Sequence, residues 1–88
     1  MPLLVMKFGG TSVADLARIE NAAEKVKREV ERGYDVIVIV SAMSGKTNEL
    51  VGWVEQTSHL YDAREYDAVV ASGEQVTAGL MAVVLQQM

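Results

Sequence analysis

Near the start of the chain, Lys7-Phe8-Gly9-Gly10-Thr11-Ser12 sets a cation, bare backbone and two hydroxyls in immediate succession. These residues close the apolar run Leu3-Leu4-Val5-Met6, and Leu3 to Phe8 reads as a short strand. In open α/β sheets, ligands bind beyond the carboxyl ends of the strands. Lys7 stands at such an end, and Gly9 and Gly10 let backbone N–H groups approach a ligand with no Cβ in the way. A helix expected from about Ser12 would add the positive end of its dipole. Lysine, exposed N–H groups and a helix start together suit a phosphate. A lysine reaching out of a strand end, followed by an ordinary glycine turn, would account for the same residues.

A second loop has similar chemistry. Ser41-Ala42-Met43-Ser44-Gly45-Lys46-Thr47 carries three hydroxyls and a flexible glycine, and it follows a run that reads as a strand. If the two strands are neighbours, both loops open into one crevice. With Val40 in front, the loop nearly matches the P-loop pattern G-x-x-x-x-G-K-[ST]. Val40 stands where the first glycine belongs, and a β-branched residue resists the positive φ that lets the backbone curl around phosphates. A degenerate P-loop therefore stays only as an alternative.

The third candidate is Ser72-Gly73-Glu74, set in an otherwise apolar helical pattern. A carboxylate in such surroundings either faces solvent or holds a cation, typically a substrate ammonium. Glycine inside a helix costs about 1 kcal/mol relative to alanine. Gly73 thus points to close approach by another backbone or a ligand.

The elements that must position these residues follow from periodicity. Leu16, Ile19, Ala22, Ala23, Val26 and Val30 recur at helical spacing, with charged residues between them. Ser12-Val13-Ala14-Asp15 resembles a capping-box start and Gly33 a stop, while Glu20 to Arg32 forms a solvated face. Val36-Ile37-Val38-Ile39-Val40 is β-branched without alternation, which suits a strand covered on both faces of a parallel sheet. Strand, helix and strand make a βαβ unit. A shorter helix is expected from about Asn48 to Gln56, a polar connection over Thr57 to Asp62, and a long helix from about Arg64 to the end. That last helix is apolar nearly all round, since Met81, Leu85 and Met88 fall outside its main stripe, and it needs a larger structure or a partner. Trp53, Met43 and the C-terminal methionines read as packing residues.

Bulk properties narrow the classes further. Eighty-eight residues make at most one small domain. Net charge −4, a pI near 4.8 and scattered basic residues argue against a nucleic-acid binder. Without cysteine there is no disulfide, thiolate metal site or thiol nucleophile, and a single histidine, His59, argues against a histidine metal site. No signal-peptide pattern and no apolar run approaching a membrane span are evident, so a cytoplasmic protein without a membrane partner is expected.

Taken in order and spacing, KFGGTSV, VSAMSGKTNEL and ASGEQ resemble the aspartate kinase branch of the amino-acid kinase family, from Leu3 to Met88. The resemblance implies the N-terminal, substrate-binding portion of an αβα sandwich with a mainly parallel sheet, in β-α-β-α-α order. It implies ATP-dependent phosphorylation of the side-chain carboxylate of L-aspartate to 4-phospho-L-aspartate, the first step toward lysine, threonine and methionine. By position, Lys7 would stabilise the transferring phosphoryl group, and Phe8, Gly9, Gly10 and Ser41 would contact the ATP phosphates. Thr47, Asn48 and Glu49 would line the aspartate site, and Glu74 would hold the α-ammonium. Mg²⁺ would be bound through the phosphates and by no protein ligand, and a homo-oligomer is implied. Lys46 departs from the usual uncharged residue. Residues 1–88 would lack the nucleotide-binding half and the regulatory ACT domains, so that alone they would be inactive. A non-catalytic module assembling through its last helix is the other reading.

Overall fold

The computed structural model describes residues 2–58, 60 and 62–88. His59, expected to bind no metal, lies outside them. Strand β1 spans Leu3–Phe8, as the apolar run predicts. A four-residue 3-10 helix follows over Gly10–Val13, in which the Ser12 N–H donates to the Gly9 carbonyl at 3.0 Å. Helix α1 then runs over Leu16–Glu31. The expected start at Ser12 is therefore corrected. Ser12 sits inside the 3-10 turn, whereas an N-cap needs extended backbone. Asp15 has that backbone, and its Oδ1 accepts the Arg18 N–H at 2.8 Å. The stop at Gly33 is as expected: its φ is +99° and its N–H donates to the Val30 carbonyl.

Strand β2, Asp35–Val40, pairs with β1 in parallel, from Leu3 opposite Asp35 to Phe8 opposite Val40. Met6, Phe8, Val36, Val38 and Val40 turn to one face, where α1 supplies Ile19, Ala22, Ala23 and Val26. Ile19 and Val13 are fully buried, worth about 1.5–3 kcal/mol each by loss of apolar contact with water. The other face is open, with Val5 54%, Ile37 48% and Ile39 46% exposed. The expectation of a strand covered on both faces is not met within these residues, because the packed helices share one side.

Helix α2 spans Lys46–Thr57, starting two residues earlier than expected, at Gly45 with φ +81°. Helix α3 is one continuous element over Ala63–Gln87, with Asp62 accepting the Arg64 N–H at 2.7 Å. Ser72-Gly73-Glu74 does not break it. The Ser72 hydroxyl turns back to the Val69 carbonyl, and the buried Thr77 hydroxyl donates to the Gly73 carbonyl at 3.1 Å. Gly73, Thr77 and Met81 form its buried stripe. Among the described residues α3 alone is long and apolar enough, by length and composition, to cross a membrane. That corrects the expectation that no run comes near a span. The packing expected of Trp53 and Met88 is incomplete, since they are 53% and 42% exposed. Met81 is buried and Met43 packs on the core, as predicted.

Candidate functional site

The two strands end level with each other, and the Ser41 N–H extends their pairing to the Phe8 carbonyl at 3.2 Å. Both following loops therefore leave the sheet side by side. They meet closely: a β-carbon on Gly10 would lie 3.1 Å from the Ala42 carbonyl oxygen and 3.6 Å from the Ser44 backbone. Only a residue without Cβ fits that contact unstrained. From the other side α3 approaches at Gly73, where a β-carbon would meet Ala42 Cβ at 3.1 Å and Leu50 Cδ1 and Lys46 Cγ at 3.2 Å. The close approach that Gly73 signalled is thus made by packed side chains of the second loop and α2.

Between these elements lies a cleft of about 450 Å³. The first loop contributes Gly10 and Thr11, the second Ser41, Ser44 and Gly45, α2 Thr47 and Asn48, and α3 Glu74. Hydroxyls and one amide dominate, and among the described residues Glu74 is the single charged one lining it. No ion pair engages Glu74 among the described residues. The start of α2 opens here with no side-chain cap; the Lys46 N–H is taken by the Met43 carbonyl, while the N–H groups of Thr47 and Asn48 and the helix dipole favour an anion. A cleft with a carboxylate on one wall and a helix start on the other suits a ligand carrying an ammonium and an acidic group.

Of the residues singled out from sequence, Gly10, Ser41, Thr47, Asn48 and Glu74 are brought together. Lys7, Phe8, Gly9 and Glu49 do not line the cleft. Lys7 is exposed opposite Ile39, on the open face of the sheet. The Phe8 ring belongs to the core, which leaves only its backbone for a ligand. Glu49, in the first turn of α2, is ion-paired with Lys46 at 3.3 Å. The helix end facing the cleft is that of α2; the α1 end is occupied by its own Asp15 carboxylate. Thr11, Ser44 and Gly45, which the two loop motifs contain without an assigned role, also line the cleft, as do Ala42 and Met43; Ala42 carries no signal in sequence, since the glycines it meets are distant in the chain.

The P-loop alternative loses its geometry. Val40 stays in the sheet opposite Phe8, and no non-glycine residue among those described has positive φ. No three His, Asp or Glu side chains among the described residues group to hold a metal ion.

Comparison with known proteins gives a consistent result. The family model described as the amino acid kinase family matches residues 2–88. The aspartokinase of Pseudomonas aeruginosa is 53% identical over 85 residues, covering 97% of this chain and 21% of that protein. Aspartokinase 2 of Bacillus subtilis is 45% identical over 87 residues, covering 99% and 21%. The crystal structure of aspartate kinase from Synechocystis superposes with a TM-score of 0.93 at 40% identity, covering 99% of this chain and 15% of that one. The chain thus spans about a fifth of the length of the curated relatives it matches.

Proposed function

This chain belongs to the amino acid kinase family, and we propose that it forms the aspartate-binding part, and a share of the phosphate site, of an aspartate kinase. The observation that carries this reading is the meeting of the two strand-end loops and Glu74 on one cleft, in a chain similar along its length to aspartokinases.

In this reading L-aspartate lies in the cleft. Glu74 binds its α-ammonium by charge, and Thr47 and Asn48 at the start of α2 take an acidic group. Glu49 would reach the substrate only by sharing or leaving Lys46. The side-chain carboxylate is then held toward the first loop, where its oxygen attacks the γ-phosphorus of ATP, forming the acyl phosphate as the bond to the β–γ bridging oxygen breaks and ADP leaves. Phosphoryl transfer asks the protein mainly for positioning and for neutralisation of charge on the moving group. Lys7 would supply a positive charge, and Ser41 with the Gly9–Gly10 backbone would supply hydrogen-bond donors. Mg²⁺ would arrive bound to the ATP phosphates and share in that neutralisation. Residues outside these 88 would complete the nucleotide site, so the chain alone is expected to release no ADP from ATP. A cytoplasmic setting and a homo-oligomer belong to the same reading.

The test is steady-state kinetics in the full-length kinase carrying this segment, by coupled ADP release. Wild type should turn over only with L-aspartate present. Glu74→Gln should raise the KM for aspartate by about 10-fold to 100-fold, the scale of one charge-assisted contact, with the KM for ATP little changed. Turnover indifferent to aspartate would contradict the reading. The alternative of a non-catalytic module assembling through its last helix predicts no effect of Glu74→Gln on the KM for aspartate.

A further inference from the structure

We infer that Gly73 is a positioning residue: it sets the span between Glu74 and the second loop, and so tunes the fit of the acidic amino acid. The inference rests on the reading of the cleft just given. Helix α3 contains two glycines, each unfavourable in a helix interior by about 1 kcal/mol relative to alanine. Their surroundings differ. A β-carbon on Gly79 would meet nothing within 4 Å, whereas one on Gly73 would meet three groups at 3.1–3.2 Å.

Those three groups are not equally able to yield. Leu50 Cδ1 and Lys46 Cγ belong to side chains that can rotate. Ala42 Cβ is fixed to its backbone, and Ala42 is itself buried, at 6% exposure. On its far side the Ala42 carbonyl already lies against Gly10, with 3.1 Å to the position of a β-carbon there. Ala42 thus packs against a glycine at two points, its Cβ toward Gly73 and its carbonyl toward Gly10, and its Cβ moves only with its backbone. A side chain at residue 73 must push α3 away from the loop or push the loop toward Gly10. Either way the Glu74 carboxylate shifts relative to Ser44, Thr47 and Asn48 across the cleft. The Thr77 hydroxyl bonds the Gly73 carbonyl within α3 itself, so this turn of the helix shifts together with Glu74.

The experiment uses the full-length kinase with Gly73→Ala, Ala42→Gly, the double variant and Gly79→Ala. Gly73→Ala should raise the KM for aspartate by about threefold to tenfold, since sub-ångström misplacement is enough to weaken a positioned contact, and leave the KM for ATP within about twofold. Adding Ala42→Gly removes the rigid atom and should restore the aspartate KM. Gly79→Ala, which gains the same helix preference without a clash, should leave both KM values unchanged. Parallel rises for aspartate and ATP, an unchanged Gly73→Ala, or a double variant without rescue would each overturn the inference. If Gly73→Ala does not fold, the double variant should, and its failure to fold overturns the inference too. If wild type shows no aspartate-dependent turnover, the functional reading falls separately. The spacing is then decided by crystal structures of wild type and Gly73→Ala, in which residue 73 should stand farther from Ala42; an unmoved contact refutes it.

Discussion

Gly10 lies against the backbone of Ala42 so closely that a β-carbon on it would stand 3.1 Å from the Ala42 carbonyl oxygen. This contact joins the loop after β1 to the loop after β2, and both loops line the same cleft. Backbone cannot rotate aside as a side chain can, so Gly10→Ala must separate the loops. Overpacking of this kind costs about 1–3 kcal/mol. Gly9 is the contrast, with nothing within 4 Å of a β-carbon and ordinary extended dihedrals. Chemical denaturation should show a clear loss of stability for Gly10→Ala and almost none for Gly9→Ala. Equal losses would mean that the Gly10–Ala42 contact does not join the loops.

The start of α1 gives a second prediction. Asp15, not Ser12, accepts a first-turn N–H, that of Arg18. Asp15→Ala should therefore cost about 1 kcal/mol, read as a lower melting temperature. Ser12→Ala, on an exposed residue, should fall within about 0.5 kcal/mol of wild type. The reverse order would restore the helix start expected from the Ser12-to-Asp15 spacing.

These particulars show which features are legible in the sequence. Both strands, the end of α1 at Gly33 and the extent of α3 are written in local patterns of apolar residues and a left-handed glycine. The start of α1 was not, because a 3-10 turn between Gly10 and Val13 uses the same hydroxyl and acidic residues as a capping box. The open sheet face was hidden as well: Ile37 and Ile39 are as apolar as Val36 and Val38, so no alternation marks which side is covered. In the cleft, Ser41, Thr47 and Glu74 could be proposed from residue type and place in the motif. Ala42 could not, because its importance comes from two glycines 32 and 31 positions away. Such contacts exist only once the chain has folded.

The open face itself predicts association. Leu3, Val5, Ile37 and Ile39 are exposed on one side of the sheet, and such a contiguous apolar patch tends to find a partner. The isolated 88-residue chain should sediment as more than a monomer at micromolar concentration. Val5 and Ile37 face each other in register, so the pair Val5→Lys and Ile37→Glu should shift the chain toward monomer. Monomeric wild type, or association unaffected by the double substitution, would show that this face is not the contact.

The placement of the phosphate is tested most directly by two lysines in the full-length kinase. Lys7 stands one residue before the end of β1, on the open face, with no ion pair among the described residues, whereas Lys46 is paired with Glu49 at 3.3 Å. If Lys7 neutralises the migrating phosphoryl group, Lys7→Ala should lower kcat by about 10²–10³, the scale for removing one preorganised stabilising group. Lys46→Ala should cost less than about tenfold, because Lys46 is paired with Glu49 and does not line the cleft; in a P-loop it would be indispensable. Steady-state kinetics of both variants, with folding checked by circular dichroism, compare these demands in one assay. A severe Lys7→Ala defect beside a mild Lys46→Ala defect is the predicted result; a mild Lys7→Ala defect beside a severe Lys46→Ala defect would contradict the assignment of the phosphate to the end of β1.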